Sequence, residues 1–199
     1  MSRSLCAFAV AATALVGSTQ AATILTFADP ASGPSTPLFQ LSGGQLTGGW
    51  ASGSLGLTLE TPGLAAPDYP NAWFDFSPVT VTPTGTPPFF TLGAGQIRFY
   101  EFGGVVPIAT ITFSGGLLTD ALGFGASAFA GFDVEFSGPI VGPGTPSNEA
   151  ISFSFANQVG APTDYTATAS FTSSADNIPA PASAALLGLG MLLVLRRRR

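Results

Sequence analysis

Acidic side chains are the groups in this sequence that could do chemistry. Eleven Asp and Glu residues and a single basic residue, Arg98, lie between Ala22 and Ile178. The chain contains no histidine and no lysine, and its one cysteine is Cys6. Ser-His-Asp and Cys-His sites, Schiff-base chemistry and the usual zinc and copper sites are therefore excluded, because each needs an imidazole, an amine or a set of thiolates.

The remaining acids could serve glycoside hydrolysis, which needs two carboxylates about 5 to 9.5 Å apart. No pairing stands out among the four glutamates, and a plain strand or loop explains the context of each. We therefore predict no enzymatic activity and no cofactor, with a glycoside hydrolase as a remote alternative. The four glutamates are Glu60, Glu101, Glu135 and Glu149.

Trp73 and Asp75 form the clearest candidate binding pair. In a strand they point to one face, while Phe74 and Phe76 point to the other. An exposed tryptophan beside a carboxylate can stack on a pyranose ring and hydrogen-bond its hydroxyls, but tryptophan is more often buried. The pair is thus a candidate sugar platform or part of the core. Arg98 is expected to pair with one of the acids or to stack on an aromatic ring.

Asp133 and Glu135 are a candidate calcium site, with Asp120 or Glu149 as further ligands, because clustered carboxylates bind hard cations. No Asp-x-Asp-x-Asp-Gly loop supports this site. Alternation along a strand also places two solvated carboxylates on its outer face. We therefore favour no metal. The net charge of −10 that eleven acids and one arginine give this segment predicts no nucleic-acid partner, because such binding depends on cationic contacts.

Short alternating runs of β-forming residues predict the element that must position these side chains. Their turn-bounded spacing indicates an all-β fold, a single antiparallel β-sandwich or jelly roll over residues 22–177. The doubled sequence from Leu41 to Trp50 is interpreted as two turns, and Gly115 to Gly131 as one bent strand. The other predicted strands are Thr23 to Phe27, Ser54 to Thr61, Ala72 to Ser77, Gln96 to Phe102, Ile108 to Ser114, Gly131 to Ser137, Ala150 to Ala156 and Tyr165 to Thr172.

Two of these runs alternate cleanly. Phe132, Val134 and Phe136 are expected to face the core. Ile151, Phe153 and Phe155 are expected to do so as well, with serines between them on the outer face.

The last 22 residues combine a short proline motif, an apolar run and a basic end. The twelve residues from Ala184 to Leu195 reach only about 18 Å as a helix, well short of the roughly 30 Å core of a bilayer. Arginines resist translocation, so this run is expected to insert transiently and to present the motif at the outer face of the membrane. A short, unprocessed anchor helix is the alternative. The motif is Ile178, Pro179, Ala180, Pro181, Ala182 and Ser183, and the membrane stop is Arg196, Arg197, Arg198 and Arg199.

The stretch IPAPASAALLGLGMLLVLRRRR resembles the PEP-CTERM protein-sorting signal. That signal marks exported bacterial proteins for a membrane-embedded exosortase, usually in Gram-negative species that make extracellular polysaccharide. Ala180 stands where the family has its central Glu, as in a variant of the motif. The resemblance covers residues 178–199 and implies nothing about the fold between the two ends.

The N-terminus predicts the same route. Arg3, an apolar core from Leu5 to Val16 and small residues at Thr19 and Ala21 predict a signal peptide over residues 1–21 that is cleaved after Ala21. Sec export machinery and an exosortase are the expected partners, with exopolysaccharide as a further one. We expect a membrane-anchored precursor and then a cell-surface or extracellular protein. Its predicted role is structural and non-enzymatic, associated with the extracellular matrix, and the alternative is a carbohydrate-binding module.

Overall fold

The computed structural model describes residues 21–28, 30, 37–86, 89–121, 126–142, 147–161 and 164–176. The predicted signal helix, sorting motif, C-terminal hydrophobic helix and arginine cluster lie outside them, apart from Ala21, which is exposed. In the described part of the chain, no helix is long and apolar enough to cross a membrane. Twelve strands occur there: β1 (Ala22–Phe27), β2 (Phe39–Ser42), β3 (Gln45–Trp50), β4 (Trp73–Pro83), β5 (Phe89–Leu92), β6 (Gly95–Tyr100), β7 (Ala109–Phe113), β8 (Gly115–Ala121), β9 (Ala126–Phe132), β10 (Glu135–Ser137), β11 (Ser147–Ala161) and β12 (Asp164–Asp176).

Eight of these strands form a closed barrel, in the order β4, β3, β2, β12, β11, β9, β8 and β5. The ring closes because β5 pairs with β8 on one side and with the last residues of β4 on the other. The first residues of β4 pair instead with β6, which continues into β7 and β10. The all-β prediction is confirmed, and all strand pairings among the described residues are antiparallel. The prediction of a sandwich or jelly roll is wrong. Because β4 is long, β6 pairs with its first residues and β5 with its last residues along the same edge, and the pairing with β5 closes the sheet into a barrel.

Phenylalanine fills the interior. Phe153 on β11 is fully buried. Its ring centroid lies 4.9 to 6.4 Å from those of six other phenylalanines, one each on β1, β2, β4, β9, β11 and β12. Ile151 and Phe155 are also buried, so the predicted core face of this strand is confirmed. The six partners of Phe153 are Phe27, Phe39, Phe76, Phe129, Phe155 and Phe171.

The doubled sequence from Leu41 to Trp50 forms a hairpin and not two turns. Gly43 and Gly44 have φ values of 58° and 74°, which suits the two-residue turn between β2 and β3. Gly48 and Gly49 lie inside β3. The prediction of a turn is therefore confirmed for Gly43 and Gly44 and wrong for Gly48 and Gly49.

Positive φ values also divide other predicted strands. Asp133, at φ 46°, ends β9 before β10 begins. Phe132 is consequently 50% exposed, and its predicted place in the core is wrong, whereas Val134 and Phe136 are buried.

The predicted strand from Ser54 to Thr61 does not form. Residues 54–61 contribute only isolated bridges at Leu59 and Glu60.

The segment from Gly115 to Gly131 also differs from its prediction. It belongs to two antiparallel strands, β8 and β9, and not to one bent strand. The remaining predicted strands correspond to β1, β4, β6, β7, β11 and β12.

Candidate functional site

Trp73 and Asp75 lie at the start of β4 on its outer face. Phe74 and Phe76, which alternate with them, are 1% and 4% exposed and belong to the core. The predicted division of the strand into two faces is therefore confirmed. Trp73 and Asp75 are both half-buried.

The indole of Trp73 is held from two directions. Its ring stacks on that of Tyr100, the cross-strand neighbour on β6, with centroids 3.8 Å apart and planes at 6°. Its Nε1 donates a hydrogen bond to the carbonyl oxygen of Gly104 at 3.2 Å. Tyr100 thus covers one face of the ring, and these two contacts together fix the orientation of the indole.

Asp75 accepts hydrogen bonds from two residues of β6. Arg98 Nε donates to Oδ1 at 2.8 Å, Arg98 Nη2 lies 2.8 Å from Oδ2, and the hydroxyl of Tyr100 donates to Oδ2 at 3.1 Å. The expected ion pair of Arg98 is confirmed, and the geometry is the two-pronged one that a guanidinium favours. The side chains of Arg98 and Asp75 remain 46% and 36% exposed, so the pair contributes little to stability but keeps polar atoms in contact with solvent.

The protonation states of this network follow from its contacts. The hydrogen bond and the charge of Asp75 raise the pKa of Arg98 above its ordinary value. Burial, followed by the hydrogen bond to Asp75, raises the pKa of Tyr100. At neutral pH the site therefore presents a cationic donor and a neutral phenol around one carboxylate.

A groove lies beside this cluster, between the β2–β3 hairpin and the start of β4. Its volume is about 460 Å³, and its lining includes Gln40, Thr47, Gly49, Trp73 and Asp75. Gly49 pairs with Asp75 across the ladder, where β3 and the backbone of β4 approach closely. A Cβ at Gly49 would lie 3.0 Å from the Phe74 carbonyl oxygen. The groove thus combines an aromatic ring, amide and hydroxyl groups, and a carboxylate.

Sequence reasoning missed the β2–β3 side of the groove. Thr47 and Gly49 lie in the segment from Leu41 to Trp50, for which the sequence predicts two turns, and Gln40 directly precedes it. Trp50 also lines the groove, and its Nε1 is buried with no hydrogen-bond partner among the described residues. The local signal that could have located this wall is the alternation in β2, where Phe39 and Leu41 are buried and Gln40 and Ser42 are exposed.

A second pocket, of about 310 Å³, lies against β11 and β12. Hydroxyl groups dominate it, since Ser152 pairs with Thr172 and Ser154 with Ser170 across the two strands. Among the described residues that line it, Glu60 is the one acid. Its described aromatic lining residues, Phe27 and Phe171, are buried, so neither forms a platform comparable to Trp73.

The carboxylates of the calcium candidate have separate partners. Asp133 accepts a hydrogen bond from the hydroxyl of Ser114, and Glu149 accepts one from the backbone nitrogen of Phe136 at 2.9 Å. Burial raises the pKa of Glu149, and the neighbouring charge of Glu135 raises it further, against the effect of the Phe136 hydrogen bond. Among the described residues, no group of three or more acidic or cysteine side chains is placed to hold a metal ion. The side chain of Asp120 lies outside the described residues.

No protein-family model matches the chain, and neither a curated protein nor a solved structure is significantly similar to it.

Proposed function

We propose that this chain is an exported, non-enzymatic structural protein of the cell surface or extracellular matrix, sorted and processed by an exosortase system. The observation that carries the proposal is the order of proline motif, apolar run and arginine cluster over residues 178–199. The signal-peptide pattern at the other end supports it independently.

The use of the acids in the fold also supports a structural role. In the part of the chain that the structure describes, five carboxylates accept hydrogen bonds from nearby turns or strands and so help to fix the fold. Asp68 binds the backbone nitrogen of Thr61 at 2.9 Å, and Asp176 binds Asn148 at 2.8 Å. Asp75, Asp133 and Glu149 are engaged as described above.

The intact mass of the native protein tests this proposal. We expect the mature form to lack residues 1–21 and the apolar, arginine-tipped end. Replacing Pro179 and Pro181 with Ala should leave the C-terminal end attached, because the segment would no longer be held extended for the processing enzyme. The matched control is Pro78→Ala, at an exposed position of β4. A native protein that keeps both ends would contradict the proposal.

A carbohydrate-binding role is the second candidate, and the groove beside Trp73 favours it. Sugar sites combine an aromatic face with a few convergent polar groups. The groove has both, and the charge of its lining residue Asp75 is balanced by the ion pair with Arg98. The strongly acidic body repels anionic polymers, so a neutral polysaccharide is the ligand class that fits.

Affinity electrophoresis in gels that contain a neutral glucan tests this second role. We expect the glucan to retard the protein, and Trp73→Ala to weaken binding about tenfold, or about 1.4 kcal/mol. Trp73→Phe, which keeps a flat ring, should retain part of the affinity. The exposed aromatic Phe89 provides the control, Phe89→Ala, which should bind normally. Equal retardation of wild type and Trp73→Ala, or none by any neutral glucan, would leave only the structural role.

A further inference from the structure

The loop between β6 and β7, residues 101–107, is the most apolar exposed segment of the described chain. Phe102, Val105 and Val106 are 54%, 84% and 69% exposed. The other large exposed apolar side chains there, such as Leu55, stand singly. Isolated exposed apolar residues are ordinary, but three within five positions indicate a contact surface. We call residues 101–107 the apolar loop.

The base of the apolar loop is rigid. Gly104 N donates to the Glu101 carbonyl oxygen at 2.9 Å, and the Gly104 carbonyl oxygen accepts the hydrogen bond from Trp73. Gly103, at φ 70°, makes the turn that these contacts require. The exposed side chains are therefore presented by a fixed scaffold, which lowers the entropy cost of docking them.

The chain leaves the barrel at the end that carries the apolar loop. Phe99 on β6 and Phe171 on β12 lie at about the same height along the barrel, since their ring centroids are 5.4 Å apart. The antiparallel ladders from β12 through β2, β3 and β4 to β6 give β12 and β6 the same direction. Glu101 follows Phe99 by two residues and Asp176 follows Phe171 by five. Residues 177–199, with their apolar run, thus begin on the side of the apolar loop.

We infer that the apolar loop rests on the lipid surface into which the C-terminal run inserts, with Phe102, Val105 and Val106 in the interfacial layer. This inference rests on the proposed function, which places residues 184–195 in a membrane. Twelve apolar residues are too few for a durable span, and a weak anchor needs a second contact to hold. The apolar loop supplies that contact. Glu101 and the net charge of the body favour a zwitterionic surface over an anionic one.

Site-specific fluorescence tests the inference. The full chain carries only Cys6, so a Cys6→Ser background allows one fluorophore (nitrobenzoxadiazole) to be attached through Val105→Cys, and in a second variant through Thr86→Cys. Thr86 is exposed in the turn between β4 and β5, at the opposite end of the barrel. Both proteins are reconstituted into phosphatidylcholine vesicles whose acyl chains carry a nitroxide quencher. We expect quenching at position 105 to exceed that at position 86 by at least about twofold.

Each outcome of this experiment separates the two proposals. Co-flotation with the vesicles but equal quenching at the two positions would overturn the inference and leave the proposed function standing. Absence of co-flotation would overturn both. Protection of the label at position 105 without vesicles, rising with protein concentration, would assign the loop to contact between copies and overturn the inference.

A substitution set provides a readout that does not depend on labels. Replacing Phe102, Val105 and Val106 with Ser should lower the vesicle-bound fraction of the full chain severalfold. The control replaces Phe89 and Val159 with Ser, because these are 40% and 53% exposed away from the apolar loop. Equal retention of the two variants would contradict the inference.

Discussion

Phe153→Ala is expected to lower the free energy of unfolding by about 3 to 5 kcal/mol, the range for removing a buried phenylalanine ring. Phe153 is fully buried and touches rings from β1, β2, β4, β9 and β12 as well as its own strand. Since several strands would have to move to fill the cavity, collapse would be incomplete. A domain has only about 5 to 15 kcal/mol in total, so the loss is a large share. Urea denaturation followed by tryptophan fluorescence measures it.

Ser154→Ala is the control for this change. Ser154 is the next residue on β11 and is exposed on the outer face. We expect its replacement to change the stability by no more than about 0.5 kcal/mol. A loss below about 1 kcal/mol for Phe153→Ala would show that the interior is not packed as described.

Gly48→Ala is expected to destabilise the fold by about 1 to 3 kcal/mol, the range for overpacking a core. A Cβ at Gly48 would overlap the ring of Phe39, its partner across the β2–β3 ladder. The ring cannot move aside, because Phe76, Phe153 and Phe155 pack around it with centroids 4.9 to 5.4 Å away. This cost exceeds the roughly 0.5 to 1 kcal/mol that alanine gains over glycine in a strand.

The double variant Gly48→Ala/Phe39→Leu identifies the cause. Leucine lacks the ring atoms that the new methyl group would overlap, so the two changes together should cost less than the sum of their separate costs. Thr47→Ala, one residue away on the outer face, should be nearly neutral. Additive costs within about 0.3 kcal/mol would mean that Phe39 is not the obstacle. Thermal or urea unfolding of the wild type, the two single variants, the double variant and the Thr47→Ala control provides the comparison.

Alternation in the sequence predicted the strands and faces that depend only on local pattern. Ile151, Phe153 and Phe155 face the core as expected, and so do Phe74 and Phe76. The pattern could not predict closure, because which strands β4 pairs with at each of its ends is decided by contacts far along the chain. It also could not show that Asp133 adopts a positive φ, which turns Phe132 out of the core.

The candidate site was half predictable for a similar reason. Trp73 and Asp75 share a face by their spacing, and this required no tertiary information. The partners that define their chemistry come from other strands: Arg98 and Tyr100 from β6, and the opposite wall from β3. The glycines of β3 led to the wrong prediction of a turn. Gly48 is small because the ring of Phe39 packs against it, and the sequence cannot distinguish this reason for a glycine from a turn until the cross-strand partner is known.

The pairing of β1 with β12 constrains when the barrel can form. Ser173 accepts a hydrogen bond from the backbone nitrogen of Leu25, 148 positions earlier in the chain. Neither this pairing nor the ring itself can be completed until residues 164–176 are available, so the last strand acts as the closing step of folding. Such long-range pairing is also slow. In the export route proposed above, this order lets the chain cross the membrane unfolded, because the barrel cannot close before residues 164–176 have followed.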